Sequence, residues 1–121
     1  MLIVKEHKNE QRVTLPFSQA NFVVRKKDGF PAYQLTSLVD DLYFGIDLIV
    51  RGEDLWPSTL VQLYLAQVLG ERAFADAAFY HHPLLTEPGG GKMSKSGGAT
   101  SIQYLRKEGN EPADIYALLP R

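Results

Sequence analysis

The chain is 121 residues long, 45% apolar and 22% charged, which gives room for one domain with a core of its own. Thirteen Lys and Arg against fourteen Asp and Glu leave a net charge of −1, which argues against a protein that grips nucleic acid by bulk charge. With no cysteine, disulfides, thiol nucleophiles and thiolate metal sites are excluded. No apolar run approaches the ~18 residues of a membrane span, and Met1 to Glu10 carries Lys5, His7 and Lys8 where a signal peptide has its apolar core. A soluble, cytoplasmic domain without repeats is expected.

The opening, Leu2-Ile3-Val4, Lys8-Asn9-Glu10 and Val13-Thr14-Leu15, reads as a small hairpin or a loose arm over residues 1–20. Phe22-Val23-Val24 is a short β-type run, and Asp28-Gly29 turns the chain. Ala32 to Phe44 reads as a helix: Leu35, Leu38, Val39 and Leu42 fall at i, i+3, i+4 and i+7, with Tyr33, Ser37, Asp40 and Asp41 opposite and Gly45 as the stop. Ile46 to Val50 is apolar on both faces, as suits a strand covered on both sides in a parallel sheet.

Pro57 to Leu69 predicts a second helix ended by Gly70, with a core stripe of Val61, Tyr64, Leu65, Val68 and Leu69. Ala78-Phe79-Tyr80 with Leu84-Leu85 predicts another strand, interrupted by His81-His82-Pro83. A glycine-rich loop, Gly89 to Gly98, follows. Thr100 or Ser101 caps a helix running through Glu108, and a last helix spans about Pro112 to Leu118. The alternation of strand and helix is that of a parallel α/β layer.

Ligands of open parallel sheets bind beyond the carboxyl ends of the strands. Two loops stand there: Arg51-Gly52-Glu53-Asp54, and the glycine-rich loop with Lys92 and Lys95. Glycines let a loop bend around an anion and lysines supply charge to phosphate oxygens, yet the same composition describes a solvated surface loop. It is not a P-loop, because Thr86 and Met93 stand where that motif needs glycine and Ser or Thr. Arg51 could hold a carboxylate through two parallel hydrogen bonds; taken alone, R-G-E-D is as readily a salt-bridged turn. His81-His82 would point to opposite faces of a strand, and no third ligand sits at a recognisable spacing, so no metal site is expected. Arg25-Lys26-Lys27 reads as a solvated strand end that could touch a tRNA phosphate.

The series Pro31-Ala32-Tyr33-Gln34-Leu35, Val39-Asp40-Asp41, Gly45-Ile46, Val50-Arg51-Gly52-Glu53-Asp54-Leu55, Ser58-Thr59, His82-Pro83-Leu84 and Lys92-Met93-Ser94-Lys95-Ser96 resembles the second half of the catalytic domain of class I glutamyl-tRNA synthetases. A-Y-Q-L, H-H-P-L, and A-T-S-I followed by L-R-K-E-G look closest to the glutamyl-queuosine tRNA(Asp) synthetase branch. The likeness runs from about Phe22 to Leu119. The H-I-G-H motif of the front half is missing, as the chain contains no H-x-G-H. The resemblance implies an α/β fold, half of a Rossmann-like nucleotide-binding domain with parallel strands and flanking helices. It assigns residues 21–99 to that half, ending in the K-M-S-K-S loop, and 100–121 to a helical segment.

In that family the substrate carboxylate attacks the α-phosphate of ATP, giving an aminoacyl-adenylate and pyrophosphate. By resemblance, Lys92 and Lys95 would stabilise the leaving pyrophosphate, and Met93 and Ser94 would hold that loop near the nucleotide. Leu84 and Leu85 would meet adenine, and Gly52 and Asp54 would lie along adenosine. Tyr33 and Arg51 would contact glutamate, with Ser37 beside them; without the family, Tyr33 reads equally as a half-buried core tyrosine. Magnesium would accompany ATP, held by phosphates and water. The implied partners are ATP, glutamate and, weakly, tRNA; the chain alone is expected to bind ATP or an adenylate without completing catalysis. The alternative is a non-catalytic interaction module, a homodimer or the complement of a separate front half, retaining the synthetase fold.

Overall fold

The structure, a computed structural model, describes residues 1–86, 89–91 and 101–119. It divides into two compact units, Met1–His82 and Pro83–Arg121. The first unit holds a four-stranded sheet in the order β2-β1-β4-β3, built from β1 (Leu2–Glu6), β2 (Asn9–Val13), β3 (Leu48–Gly52) and β4 (Ala78–His82). β1 and β2 are an antiparallel hairpin, whereas β3 lies parallel to β4 over five residue pairs and β1 joins β4 in parallel at Lys5↔Ala78 and Glu6↔Phe79. This is an α/β fold with a mostly parallel sheet and flanking helices α1 (Tyr33–Tyr43), α2 (Trp56–Leu69) and α3 (Arg72–Asp76).

The core forms where one face of the sheet meets these helices. Leu2, Val4, Ile49 and Phe79 from the strands pack with Leu38 of α1, Leu60, Leu63 and Ala66 of α2, and Phe74 of α3. Side chains alternate along a strand, so Ile3, Leu48, Val50 and Tyr80 point the other way, and they are 43%, 53%, 59% and 42% exposed. The expectation of a third strand covered on both sides is therefore corrected within this unit: the second face is apolar and about half exposed, with His7 packed edge-on against Tyr80.

Several local expectations also change. Phe22-Val23-Val24 forms no strand; Ala32 N–H reaches Val24 O at 2.9 Å and Lys26 N–H reaches Phe30 O at 2.8 Å around the Asp28-Gly29 turn. Gly29 takes φ 89°, a conformation open to glycine, and Asp28 Oδ1 accepts from Phe30 N–H at 3.0 Å. In α1 only Leu38 is fully buried, with Leu35 and Leu42 half-buried and Val39 turned to solvent.

In α2 the buried residues are Thr59, Leu60, Val61, Gln62, Leu63 and Ala66, while Tyr64, Val68 and Leu69 are exposed. The stripe is rotated from the expected one because two polar residues, Thr59 and Gln62, face inward to serve Arg51. Gly70 closes α2 in the left-handed conformation, φ 76°. β4 runs through His81 and His82 rather than being interrupted there, and it ends before Pro83, which has no N–H to give a ladder; Leu84 and Leu85 form no strand.

The second unit carries α4 (Ile102–Lys107) and α5 (Pro112–Ala117). Ser101 caps α4, its side chain accepting from Tyr104 N–H at 3.1 Å. A reciprocal capping box between Glu111 and Asp114 starts α5, with Pro112 in its first turn.

Candidate functional site

Arg51 is the penultimate residue of β3, so the strand carries it rather than the loop that follows. Its side chain falls on the helix-covered face with Ile49, and the residue is 8% exposed. Phe79 in β4 lies under it, with the guanidinium carbon 5.7 Å from the ring centroid. Nη1 donates to Thr59 Oγ1 at 3.2 Å and to Gln62 Oε1 at 3.0 Å, both on the first turns of α2.

These acceptors belong to a longer chain of hydrogen bonds. Because Gln62 turns its oxygen to Arg51, its amide nitrogen donates to Gln34 Oε1 at 3.1 Å, and Gln34 Nε2 donates to Ser58 Oγ at 3.1 Å. Two glutamines thus tie α1 to α2 directly behind the arginine, one residue from Tyr33. On the other side, Thr59 Oγ1 lies 2.8 Å from His81 Nε2 and 3.3 Å from Leu55 O. His81 Nδ1 sits 2.9 Å and 3.2 Å from the Glu6 carboxylate oxygens, and its backbone N–H donates to Glu6 at 2.8 Å. Glu6 accepts from Nδ1–H, and the Thr59 hydroxyl has a single hydrogen for Leu55 O and His81 Nε2 together, so the ring's tautomer decides which of the two receives it. Trp56 packs edge-on against the same imidazole, with centroids 5.1 Å apart.

The electrostatics of the cluster are unbalanced. Among the described residues the ion pairs of Lys and Arg are Lys5–Asp76 and Lys26–Asp28, and neither involves Arg51. Burial pulls the Arg51 guanidinium below its ordinary pKa, against smaller opposing influences of Tyr33 and Asp41. Asp41 is pushed up, first by burial and then by Asp40, with Arg51 pulling the other way. Asp41 therefore senses the cation without pairing with it. A buried cation held only by neutral acceptors costs free energy that an anionic ligand would offset.

Arg51 and Tyr33, the residues expected to contact an amino acid, belong to the same unit and influence each other electrostatically. Tyr33 starts α1 and is 56% exposed; Ser37 lies one turn on and is half-buried. Gly52 ends β3, and Asp54 lies in the following 3-10 turn, Glu53–Leu55. Leu84 and Leu85 belong to the second unit. Lys92, Met93, Ser94 and Lys95 lie outside the described residues. Sequence reading missed Gln34, Thr59, Gln62 and Glu6 as partners of this cluster. The signal for the α2 pair was a Thr and a Gln at i and i+3 in a mostly apolar helix shortly after R-G-E-D.

Residues 6–121 match the family model described as tRNA synthetases class I (E and Q), catalytic domain. The chain is 41% identical over 97 residues to a glutamyl-Q tRNA(Asp) synthetase of Nocardia farcinica, covering 80% of this chain and 30% of that protein. It is 40% identical over 99 residues to glutamate–tRNA ligase 2 of Acidiphilium cryptum, covering 82% of this chain and 22% of that protein. Among solved structures, the glutamate-tRNA synthetase of Elizabethkingia anophelis superposes with a TM-score of 0.52 at 29% identity, over 74% of this chain and 18% of that one. The chain spans less than a third of the length of each of these proteins.

Proposed function

The chain belongs to the catalytic-domain family of class I tRNA synthetases for E and Q, and on that footing we propose that it carries the amino-acid-binding strand and the pyrophosphate-side loop of an ATP-dependent glutamate-activating site. The observation that supports this most is Arg51, a buried cation with two neutral acceptors and no carboxylate paired to it among the described residues. The carboxylate it receives is the one that does not react. A guanidinium on the attacking carboxylate would draw off the electron density that the attack on ATP requires, so Arg51 holds the side-chain carboxylate of glutamate and leaves the α-carboxylate free. Tyr33 and Ser37 border the amino acid.

Gly52 and Asp54 lie along adenosine and Leu84 and Leu85 meet adenine, while Met93 and Ser94 keep the K-M-S-K-S loop on the nucleotide. Lys92 and Lys95 neutralise charge on the departing pyrophosphate, and Mg2+ arrives with ATP, bound to its phosphates. The catalysis is positioning and charge stabilisation, not covalent chemistry by the protein. The 121 residues contain no H-x-G-H, so the chain binds ATP or an adenylate but does not complete activation alone, and any hold on tRNA is weak. ATP–pyrophosphate exchange with glutamate tests this. The expected result is no turnover by the chain by itself; robust exchange abolished by Lys95→Ala would overturn the claim of incompleteness.

A second reading, a non-catalytic interaction module, is favoured by the half-exposed apolar face formed by Ile3, Leu48, Val50 and Tyr80. Light scattering coupled to size exclusion separates the two. A stable dimer that binds no adenylate would favour the module, and a monomer that binds one would favour the activating site.

A further inference from the structure

The bonding of Arg51 decides which edge of its guanidinium a ligand meets. A guanidinium offers a carboxylate two edges: the end, formed by Nη1 and Nη2, and the side, formed by Nε and Nη2. Nη1 has two hydrogens and two acceptors, Thr59 Oγ1 and Gln62 Oε1, so it is fully committed and the end edge is closed. Nε and Nη2 have no hydrogen-bond partner among the described residues. Neither atom is counted among the described buried side-chain polar atoms that lack a partner, of which there is one, Gln19 Oε1.

The geometry points to Thr59 and Gln62 as positioning residues that spend Nη1 and present the Nε/Nη2 edge of Arg51, side-on, to a ligand carboxylate. Their hold is itself braced on both sides. Gln34 fixes the Gln62 amide by accepting from its nitrogen, so the Gln62 oxygen has one orientation open to it. His81, set by Glu6, lies 2.8 Å from the Thr59 hydroxyl and bonds with it. The Phe79 ring centroid lies 5.7 Å from the guanidinium carbon, so two hydrogen bonds and a cation–π contact locate the group. This rests on the reading of Arg51 as the carboxylate receptor, which it deepens by naming the edge that binds and the residues that select it.

The test is nitrogen-15 NMR of the arginine side chains in the full 121-residue chain, with L-glutamate as the probe and L-glutamine as control. In the free protein the Arg51 Nη1 hydrogens should rotate slowly, unlike those of exposed arginines such as Arg12. On adding L-glutamate, Arg51 Nε and Nη2 should shift while Nη1 stays, and L-glutamine should do neither. Gln62→Met should free Nη1 rotation and weaken glutamate by about tenfold, ~1.4 kcal/mol, while Thr59→Ser, which keeps the acceptor, should leave both unchanged. Free Nη1 rotation in the wild type, or a glutamate-induced shift of Nη1 with Nε unmoved, overturns the proposal. If Gln62→Met does not fold, Nη1 rotation and the glutamate-induced shifts in the wild type decide it. If glutamate moves nothing yet Nη1 is held, the amino-acid reading fails and the positioning role stands.

Discussion

Gln62 has a completely buried side chain that serves two partners, so replacing it with leucine separates the cost of a buried cation from the cost of a cavity. Gln62→Leu keeps the volume and strands two groups, the second Nη1 hydrogen of Arg51 and Gln34 Oε1. A stranded charged donor costs about 2–3 kcal/mol and a half-buried amide oxygen about 1 kcal/mol, while the leucine returns about 1 kcal/mol of apolar burial. The net loss is about 2–3 kcal/mol. Adding Arg51→Met removes the stranded cation together with its desolvation, and Thr59 still has Leu55 O and His81 to bond. The double variant should therefore recover ~1–2 kcal/mol relative to Gln62→Leu, since replacing both members of a buried polar pair is far cheaper than orphaning one. Urea unfolding followed by the single tryptophan, Trp56, which packs on His81 in this cluster, reads both steps. With a slope of about 1–3 kcal/mol per molar, the midpoint should fall by ~1–2 M and then rise again. A double variant as unstable as the sum of the two single variants would refute the view that Arg51 is a buried charge bearing on the stability of its own fold.

Asp41 gives a pH test of fixed sign. Its pKa is raised in the folded state, so its stabilising contribution is full below the unfolded carboxyl value and is lost as pH climbs through the raised folded value. Asp41→Asn should then be more stable than the wild type at neutral pH, by less than ~0.5 kcal/mol for a partly solvated group. That advantage should vanish on acidification to about pH 3–4 in thermal melts, whereas a gain that grew in acid would reverse the assignment. Gly70 closes α2 at φ 76°, where a side chain meets its own backbone, so Gly70→Ala should lower stability by ~1 kcal/mol although its Cβ would touch nothing. An unchanged melting temperature would contradict this.

The helices apart from α3, which the sequence reading missed, and the two parallel strands β3 and β4 were legible because their signals are local. Gly45, Gly70 and Gly109, all at positive φ, punctuate the apolar periods that precede them. The order of elements also pointed to a parallel layer, and β3 and β4 pair in that way. The polar interior of the site was not legible. Arg51 read as the first residue of a loop because a charge after Ile-Val suggests solvent, whereas β3 continues through Gly52 and keeps it inside. Thr59 and Gln62 were discounted in α2 because periodicity counts apolar residues, and the cation that makes their burial favourable comes from another element. Glu6 is 75 residues from His81, and no local pattern announces a pairing made only when β1 joins β4. The second face of β3 shows the converse: Leu48 and Val50 read as doubly covered, and both are more than half exposed, at 53% and 59%.

The proposed function assigns Arg51 to the amino acid and Lys92 and Lys95 of K-M-S-K-S to the pyrophosphate of the nucleotide. It is tested most directly by amide chemical shifts in a titration with a sulfamoyl analogue of glutamyl-adenylate. The account predicts that Tyr33, Arg51 and Lys92 to Lys95 respond together at one common affinity, and that Arg51→Met abolishes all of these shifts. Shifts confined to the lysine segment, unaffected by Arg51→Met, would contradict it.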